Sequence, residues 1–362
     1  MNPSKLYISQ KTKETNDAYS FLLDKPEDGS FDSIAGQYIT LSITLDGKEH
    51  RRAYSLHTRP QDGKVGFAVK RVKGGLISNY LIDEVKQGDS LAVFPPEGRF
   101  VLRPEVQAVR DHYFFAAGSG ITPVMSMIST MLEEEPLSTC YLLYGNHNED
   151  CIIFRDQLDA LAENHTDQFV LQHTLSQPHA AKSGGLMGLL GKKAAPTWRG
   201  AKGRIDRKMV AEFMREHPSK TGNNLYYLCG PGGMIETVET ALLGQDVNAK
   251  EILKEYFSNP DEAKTTTGAG GSCQAEVTLN GETFSVKIPA DKSVLDALID
   301  LGKDPPYSCT SGACSTCMAK VSEGAVEMEA CFALDDEEVE DGYVLACQAK
   351  CTTPTLKIEF EV

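Results

Sequence analysis

Three thiols in one short loop, with a fourth farther along, are the side chains best suited to chemistry. Cys309, Cys314 and Cys317 lie in PYSCTSGACSTCMAK (306–320) at a spacing of C-x4-C-x2-C, and Cys347 follows 30 positions later in GYVLACQAK. Four thiolates in this pattern fit a [2Fe–2S] cluster, in which two sulfide-bridged irons take two thiolates each. Zinc, the rival, usually takes C-x2-C pairs repeated symmetrically, and a single run followed by one distant Cys fits it poorly. Ser308, Ser311, Gly312, Ala313 and Ser315 are small. Small residues let a loop backbone close around a cluster and offer N–H groups to its sulfurs.

A second constellation is Gly118-Ser119-Gly120-Ile121-Thr122-Pro123, between the apolar run HYFFAA (112–117) and the helical pattern VMSMISTMLEEE. Glycines there allow a pyrophosphate to approach a helix N-terminus, where free N–H groups and the dipole favour an anion. Pro123 suits the first helical turn, where its missing N–H costs nothing. Cys229-Gly230-Pro231 ends another apolar run, NLYYLCGP, at the carboxyl edge where parallel sheets bind ligands.

These residues need a scaffold, and the periodicity supplies one. HYFFAA, TCYLLYGN (139–146), FVLQHTLS (169–176) and NLYYLCGP (224–231) read as buried strands. They alternate with helical patterns at VMSMISTMLEEE, IIFRDQLDALAENH and GGMIETVETALLG, which predicts an α/β doubly wound parallel sheet. Residues 1–105 instead read as short strands cut by Asp46-Gly47 and Asp62-Gly63, turn pairs that favour tight hairpins in an antiparallel β-barrel or sandwich. Near the C-terminus AEVTLNGETFSVKIP predicts a hairpin about Asn280-Gly281. The helix in KSVLDALIDLG is predicted to be capped by Ser293 and ended by Gly302. The expected divisions are 1–105, 106–257, a Gly/Thr-rich linker at 258–272, and 273–362. Residues 177–200, with the apolar patch GLMGLL, interrupt the α/β pattern and read as a loop insertion.

Charge and composition narrow the function further. The formal net charge is -15, which argues against a nucleic-acid partner. Residues 272–362 carry 17 acidic and 6 basic side chains, so that segment holds -11 of it and favours a basic partner surface. No apolar run reaches the roughly 20 residues of a membrane span, and the N-terminus lacks the apolar core of a secretory signal. A cytoplasmic location is expected, and with it thiols used for metal or redox chemistry rather than disulfides. Of the cysteines outside the cluster pattern, all but Cys229 read as small buried hydrophobes.

The order of these parts carries a resemblance. Residues 273–362 resemble a plant-type ferredoxin of the β-grasp α+β fold. Arg52-Ala53-Tyr54-Ser55, Lys70, Ile77-Ser78-Asn79 and PPEGRF (95–100), followed by Gly118-x-Gly120-x-x-Pro123, resemble the ferredoxin–NADP reductase family. The resemblance implies an FAD-binding barrel and an NAD(P)H-binding domain. It implies Arg52 on the flavin pyrophosphate, Tyr54 stacked on the flavin ring and Ser55 near its N5, with Val69 and Lys70 along the ring edge. Ile77 and the backbone at Ser78 would bind phosphate. Gly118, Gly120, Thr122 and Pro123 would hold the nucleotide pyrophosphate, and Cys229, Gly230 and Pro231 the nicotinamide. Phe257, in Glu255-Tyr256-Phe257, would lie beside the flavin. His147 stands where relatives that use NADPH often carry Arg, and Glu149 and Asp150 follow it. With Arg155, Arg204 and Arg207 able to compensate, NADPH is the expected donor over NADH. The whole order is similar to oxygenase reductases, the class that includes the reductase subunit of phenylacetyl-CoA epoxidase. The expected client is that oxygenase, or else another oxygenase, hydroxylase or desaturase such as a steroid hydroxylase. A redox-sensing iron–sulfur module is the reading from a different class.

Overall fold

The computed structural model describes residues 3–179, 198–257 and 271–360. Packing divides the chain into two units, Met1–Ile39 with Tyr54–Lys254 and Thr40–Ala53 with Glu255–Val362. Most of the predicted linker and the GLMGLL patch lie outside the described residues.

In the first unit β1 (Ser4–Lys13) pairs antiparallel with β2 (Ala18–Asp24), and β2 with β5 (Lys64–Lys70). β3 (Tyr38–Leu45) and β4 (Lys48–Ser55) are joined by Asp46-Gly47, both at positive φ (51° and 78°), as the sequence predicts. Two expectations for this region are corrected. Asp62-Gly63 does not make a two-residue hairpin, because β4 has already ended at Ser55 and the turn closes from Arg59 O to Asp62 N. Nor is the region all strand. LISNYLID forms helix α1 (Leu76–Asp83), burying Ile77, Ser78, Leu81 and Ile82 in a stripe too short to stand out as a period. β6 (Ser90–Glu97) returns beside β1.

The parallel sheet is built from β7 (Asp111–Ala117), β8 (Thr139–Asn146), β9 (Phe169–Leu175), the short β10 (Ala201–Lys202) and β11 (Asn224–Gly230). Their order is β10-β9-β8-β7-β11, with Cys229 level with Ala116. The chain therefore reverses its direction of winding beside β7, and the loops after β7 and β11 flank the resulting crevice. Helix α2 (Ile121–Glu134) follows β7, and α3 (Arg155–Asn164) follows β8. The second predicted helix starts later than IIFRDQLDALAENH implies, because Phe154 takes a left-handed φ of 58° and breaks the approach. The sequence reading passed over α4 (Arg207–Glu216), which Asp206 caps by accepting from the N–H of Met209. α5 (Gly232–Leu243) follows β11, and β12 (Ile252–Tyr256) leads out.

Buried polar groups tie this unit together. One oxygen of buried Asp111 accepts from Ser219, Lys220 and Thr221, fixing the loop after α4 to the start of β7. Glu135, fully buried, takes His112 Nε2 at 2.9 Å and Arg110 at 2.6 Å. Burial pushes its carboxyl up, but hydrogen bonds from His112, Arg110 and Ser138 outweigh that and hold it down at about 2. The hydroxyl of Ser126 on α2 donates to Thr58 O (2.7 Å), and Arg59 pairs with Glu133 (3.0 Å).

In the second unit β13 (Cys273–Leu279) and β14 (Glu282–Ile288) form the predicted hairpin, with Asn280 and Gly281 at φ 54° and 77°. α6 (Val294–Asp300) begins at Ser293, whose hydroxyl accepts from Asp296 N. Then come β15 (Met318–Glu323), β16 (Val326–Met328), α7 (Asp336–Glu340), β17 (Tyr343–Leu345), β18 (Ala349–Cys351) and β19 (Thr355–Phe360). The main sheet runs β14-β13-β19-β15-β17 over a core of Val277, Ile288, Leu298, Leu345 and Ile358. Cys273 and Cys351 are joined in a disulfide, which corrects their reading as isolated hydrophobes. Spacing could not reveal it, because it depends on β13 and β18 meeting across 78 residues. Among the described residues no helix is long and apolar enough to cross a membrane.

Candidate functional site

The four predicted cluster ligands are brought together by one loop and one strand end. Cys314, Cys317 and Cys347 are buried and Cys309 is half-buried. Within the loop, Cys314 N (3.3 Å) and Ser311 N (3.5 Å) donate to Cys309 Sγ, and Cys309 N donates to Cys314 Sγ at 3.5 Å. Gln348 Nε2 reaches Cys347 Sγ at 3.6 Å. The thiols fall into two pairs, Cys309 with Cys314 and Cys317 with Cys347. Its bond with Cys314 holds Cys309 down at about 5 against burial, and the bond with Cys317 lowers Cys347. Cys314 and Cys317 are pushed up by those same bonds and by burial. Among the described residues no three His, Cys, Asp or Glu side chains group around a single ion. Two thiol pairs with N–H groups aimed at sulfur suit a binuclear iron–sulfur centre, with two thiolates per iron, better than one tetrahedral zinc. Gly312 shows why the loop needs small residues: a Cβ there would lie 2.5 Å from Ala330 O.

At the crevice of the parallel sheet, Gly118–Gly120 form a single turn of 3-10 helix that leads into α2. Gly120 has an ordinary φ of -61°, so it is glycine for space rather than for conformation. A Cβ on it would lie 2.2 Å from Cys229 O and 2.8 Å from Gly230 N. The glycine turn and the end of β11 are thus pressed backbone to backbone. Thr122 Oγ1 donates to Ser119 O (2.8 Å) and Tyr144 OH to Gly118 O (2.9 Å), which fixes the turn. No side chain caps the start of α2, although the Ile121 N–H already donates to Gly118 O and Ser119 O, and the helix dipole there favours an anion. Pro123 lies in the first turn as predicted, and Pro231 precedes α5. Cys229 is fully buried.

The residues assigned to flavin lie on β4, β5 and α1. Arg52 is exposed at the end of β4, Tyr54 is half-buried with its ring 5.5 Å from Phe67, and Ser55 is buried. Val69 is buried at the end of β5, beside Lys70, whose Nζ would lie 3.8 Å from a Cβ on Gly118. That distance brings the barrel's Lys70 to the nucleotide turn. Ser78 Oγ accepts from Val72 N (3.1 Å), and Gly75 leaves the start of α1 without a side-chain cap. An exposed guanidinium, an uncapped helix start and an aromatic ring half open to solvent are the donor set a flavin dinucleotide requires. Phe257 follows β12 and is half-buried.

Sequence reasoning missed His179 and Arg51, and it named Glu149 and Asp150 without their partner. Glu149 and Asp150, after β8, both engage His179, after β9: the His179 N–H meets Glu149 Oε2 at 3.0 Å and its Nε2 meets Asp150 Oδ2 at 3.0 Å. A cavity of about 480 Å³ opens at the same loop, with Lys13, Glu14, Glu149, Asp150, Arg155 and Asp156 in its walls. Arg51, adjacent in sequence to Arg52, is the buried one of the two and contacts the segment before Cys309. No sequence signal separates two neighbouring arginines.

Three family matches cover the chain in order: an oxidoreductase FAD-binding domain at residues 5–102, an oxidoreductase NAD-binding domain at 114–240 and a 2Fe-2S iron-sulfur cluster binding domain at 277–352. The chain is 32% identical to one of the subunits of the 1,2-phenylacetyl-CoA epoxidase of Escherichia coli (strain K12), over 98% of this chain and 97% of that one. It is also 32% identical to the 3-ketosteroid-9-alpha-monooxygenase ferredoxin reductase component of Rhodococcus rhodochrous, over 98% and 96%. The solved structure of phthalate dioxygenase reductase shares its fold, with a TM-score of 0.61 at 23% identity over 99% of this chain and 98% of that one. The antiparallel FAD-binding barrel, the parallel NAD-binding sheet and the C-terminal ferredoxin-type domain all correspond. The chain belongs to the family of oxygenase reductases that join FAD- and NAD-binding modules of the ferredoxin–NADP reductase type to a [2Fe–2S] module, and it transfers electrons from NAD(P)H.

Proposed function

We propose that the chain is the reductase of a phenylacetyl-CoA epoxidase, taking hydride from a nicotinamide nucleotide and delivering single electrons to a cytoplasmic oxygenase. Bound FAD and a [2Fe–2S] cluster supply the conversion of an electron pair into single-electron transfers. The chain's own residues bind and align. Arg52 would hold the flavin pyrophosphate with its exposed fork, and the uncapped start of α1 at Ile77 and Ser78 would take a phosphate. Tyr54 would cover the flavin ring, Ser55 would offer a hydroxyl near N5, Val69 and Lys70 would line the ring edge, and Phe257 would shield it. Gly118, Gly120, Thr122 and Pro123 hold the nucleotide pyrophosphate, while Cys229, Gly230 and Pro231 seat the nicotinamide. Cys309 with Cys314, and Cys317 with Cys347, would each hold one iron of the cluster.

The observation that supports this reading is the backbone contact between the Gly120 turn and the end of β11, the two segments to which pyrophosphate and nicotinamide are assigned. The nucleotide itself reads differently once His179 is seen on both acids. At the adenosine end Glu149 and Asp150 are fixed in place, and the cavity there has four carboxylates against two cations. A 2′-phosphate meets more negative than positive charge, so the donor we infer is NADH. A cytoplasmic location suits four cysteines kept as thiols, Cys309, Cys314, Cys317 and Cys347. The Cys273–Cys351 disulfide is compatible with it because both residues are buried, at 2% and 1% exposure, away from soluble thiols.

The test uses the reconstituted protein. Cys314→Ser should spare nucleotide-driven bleaching of the flavin and abolish reduction of cytochrome c. Loss of both, or of neither, overturns the electron route, and turnover in the unaltered protein excludes a sensor. For the client, nucleotide oxidation is measured with the phenylacetyl-CoA oxygenase complex and its substrate. Because the steroid relative is equally similar at 32%, a 3-ketosteroid oxygenase is the second arm. Coupling there alone would move the assignment.

A further inference from the structure

Inside the second unit the cluster loop is gripped on both flanks. On the N-terminal flank, Arg51 donates to Asp304 Oδ1 at 2.8 Å, and its guanidinium lies over the Tyr307 ring, 4.5 Å from the centroid. Glu49 steadies the same guanidinium from its own strand at 2.9 Å. Thr40 Oγ1 hydrogen-bonds Ser308 Oγ at 2.7 Å, and Ser308 directly precedes Cys309. Thr40, Arg51 and Ser308 are 3%, 8% and 1% exposed. On the other flank Phe332 donates its N–H to Gly312 O (3.0 Å) and stacks on Tyr256, with centroids 4.8 Å apart and planes 24° from parallel.

The gripping residues do not come from arbitrary places. Arg51 lies on β4, the strand that continues into Arg52-Ala53-Tyr54-Ser55, and Tyr256 ends β12 in Glu255-Tyr256-Phe257. Both belong to segments to which the flavin has been assigned. Two buried hydroxyls 268 positions apart in the chain and a largely buried guanidinium gain little net stability, since each must first be desolvated. What such contacts specify well is register.

We propose that Thr40, Arg51 and Tyr256 are positioning residues that clamp the cluster loop to the flavin-bearing segments for the flavin-to-cluster step. The proposal rests on the electron-transfer reading above. A hydride brings two electrons and leaves oxidised nucleotide behind. The cluster accepts one electron at a time, so the clamped geometry serves twice for each nucleotide oxidised. Arg51 acts through Tyr307 and Asp304, next to the first cluster ligand, and does not itself touch nucleotide.

A charge swap in the full-length, FAD- and cluster-loaded protein tests this. Arg51→Glu, Asp304→Arg and the double variant are compared by three readouts: the rate of nucleotide-driven flavin bleaching, the rate of the following cluster reduction, and the radius of gyration from solution scattering without nucleotide. Each single variant is expected to slow cluster reduction at least tenfold and to enlarge the radius, with flavin bleaching within twofold. The double variant is expected to recover to within threefold. Thr40→Val, nearly isosteric, is the second probe should Arg51→Glu fail to fold, with an expected slowing of about threefold. Single variants that match the unaltered protein in both cluster reduction and radius overturn the clamp. So do slow singles that the swap does not rescue, because the defect is then one of folding. Absence of flavin bleaching in the unaltered protein would instead remove the electron-transfer reading, and the scattering comparison would still decide whether the contacts hold the two segments together.

Discussion

Replacing Gly120 by Ala puts the nucleotide crevice to a direct test. The added Cβ would lie 2.2 Å from Cys229 O, 2.5 Å from Cys229 C and 2.8 Å from Gly230 N, all backbone atoms that cannot rotate away. Ordinary contact begins near 3.4 Å, so the end of β11 and the glycine turn must part by about 3.4 − 2.2 = 1.2 Å. Overpacking of this kind costs about 1–3 kcal/mol of stability. The kinetic cost should be larger, because a displacement of about 1 Å in a hydride-transfer geometry lowers rates by roughly a hundredfold. Anaerobic stopped-flow at saturating nucleotide would follow flavin bleaching. The flavin and cluster spectra and dithionite reduction of the cluster serve as controls, and all should be unchanged. The reasoning is refuted if Gly120→Ala bleaches within threefold of the unaltered protein, since pyrophosphate and nicotinamide would then not share this contact.

Three further outcomes follow from the geometry. kcat/KM should favour NADH over NADPH by about tenfold or more, and Glu149→Gln with Asp150→Asn should narrow the gap by raising NADPH turnover; equal use of both nucleotides by the unaltered protein would contradict the charge argument. Glu135, held down at about 2 from an ordinary 4.5, contributes stability that is complete above about pH 4.5 and is lost as pH falls from there towards 2. The contribution is up to about 3 kcal/mol. Acid titration of the melting temperature should therefore flatten in Glu135→Gln, which starts less stable at neutral pH. Cys273→Ser should lower the stability of the cluster-binding unit by about 2–4 kcal/mol, because the bond closes a loop across 78 residues. Urea unfolding with and without reductant measures this, and a reductant that shifts neither midpoint would show the bond to be dispensable.

What could be read in advance was whatever depends on neighbours in sequence. The C-x4-C-x2-C loop, the Gly118–Pro123 turn after a buried strand and the Asn280-Gly281 hairpin are local patterns with local causes, and the structure forms each of them. α1 escaped because its apolar stripe spans only Ile77 to Ile82, too short to outweigh the surrounding strand pattern. α4 escaped because the only cue at its start is Asp206 before a strongly charged stretch. The Cys273–Cys351 bond, the engagement of Glu149 and Asp150 by His179 and the contact of Arg51 with Asp304 all join residues far apart in the chain. No period or motif encodes such meetings, and they exist only once strands have chosen partners. The packing of residues 40–53 with 255–362 belongs to the same class, since side chains such as Thr40 and Arg51 carry it.

The strand order of the cluster-binding unit also sets a timetable. β19 lies between β13 and β15, pairing parallel to one and antiparallel to the other, so the last strand of the fold is also the middle strand of its sheet. During synthesis β13, β14 and α6 emerge first but have no centre to assemble on until Thr355–Phe360 has left the ribosome. All four ligand cysteines are made before that moment and wait as free thiols. Closure of the sheet behind the ligand loop therefore waits for β19, and a chain halted before Thr355 leaves an open sheet with four unprotected thiols. The parallel nucleotide-binding sheet shares no strand with the cluster-binding one, so it can form before that sheet closes.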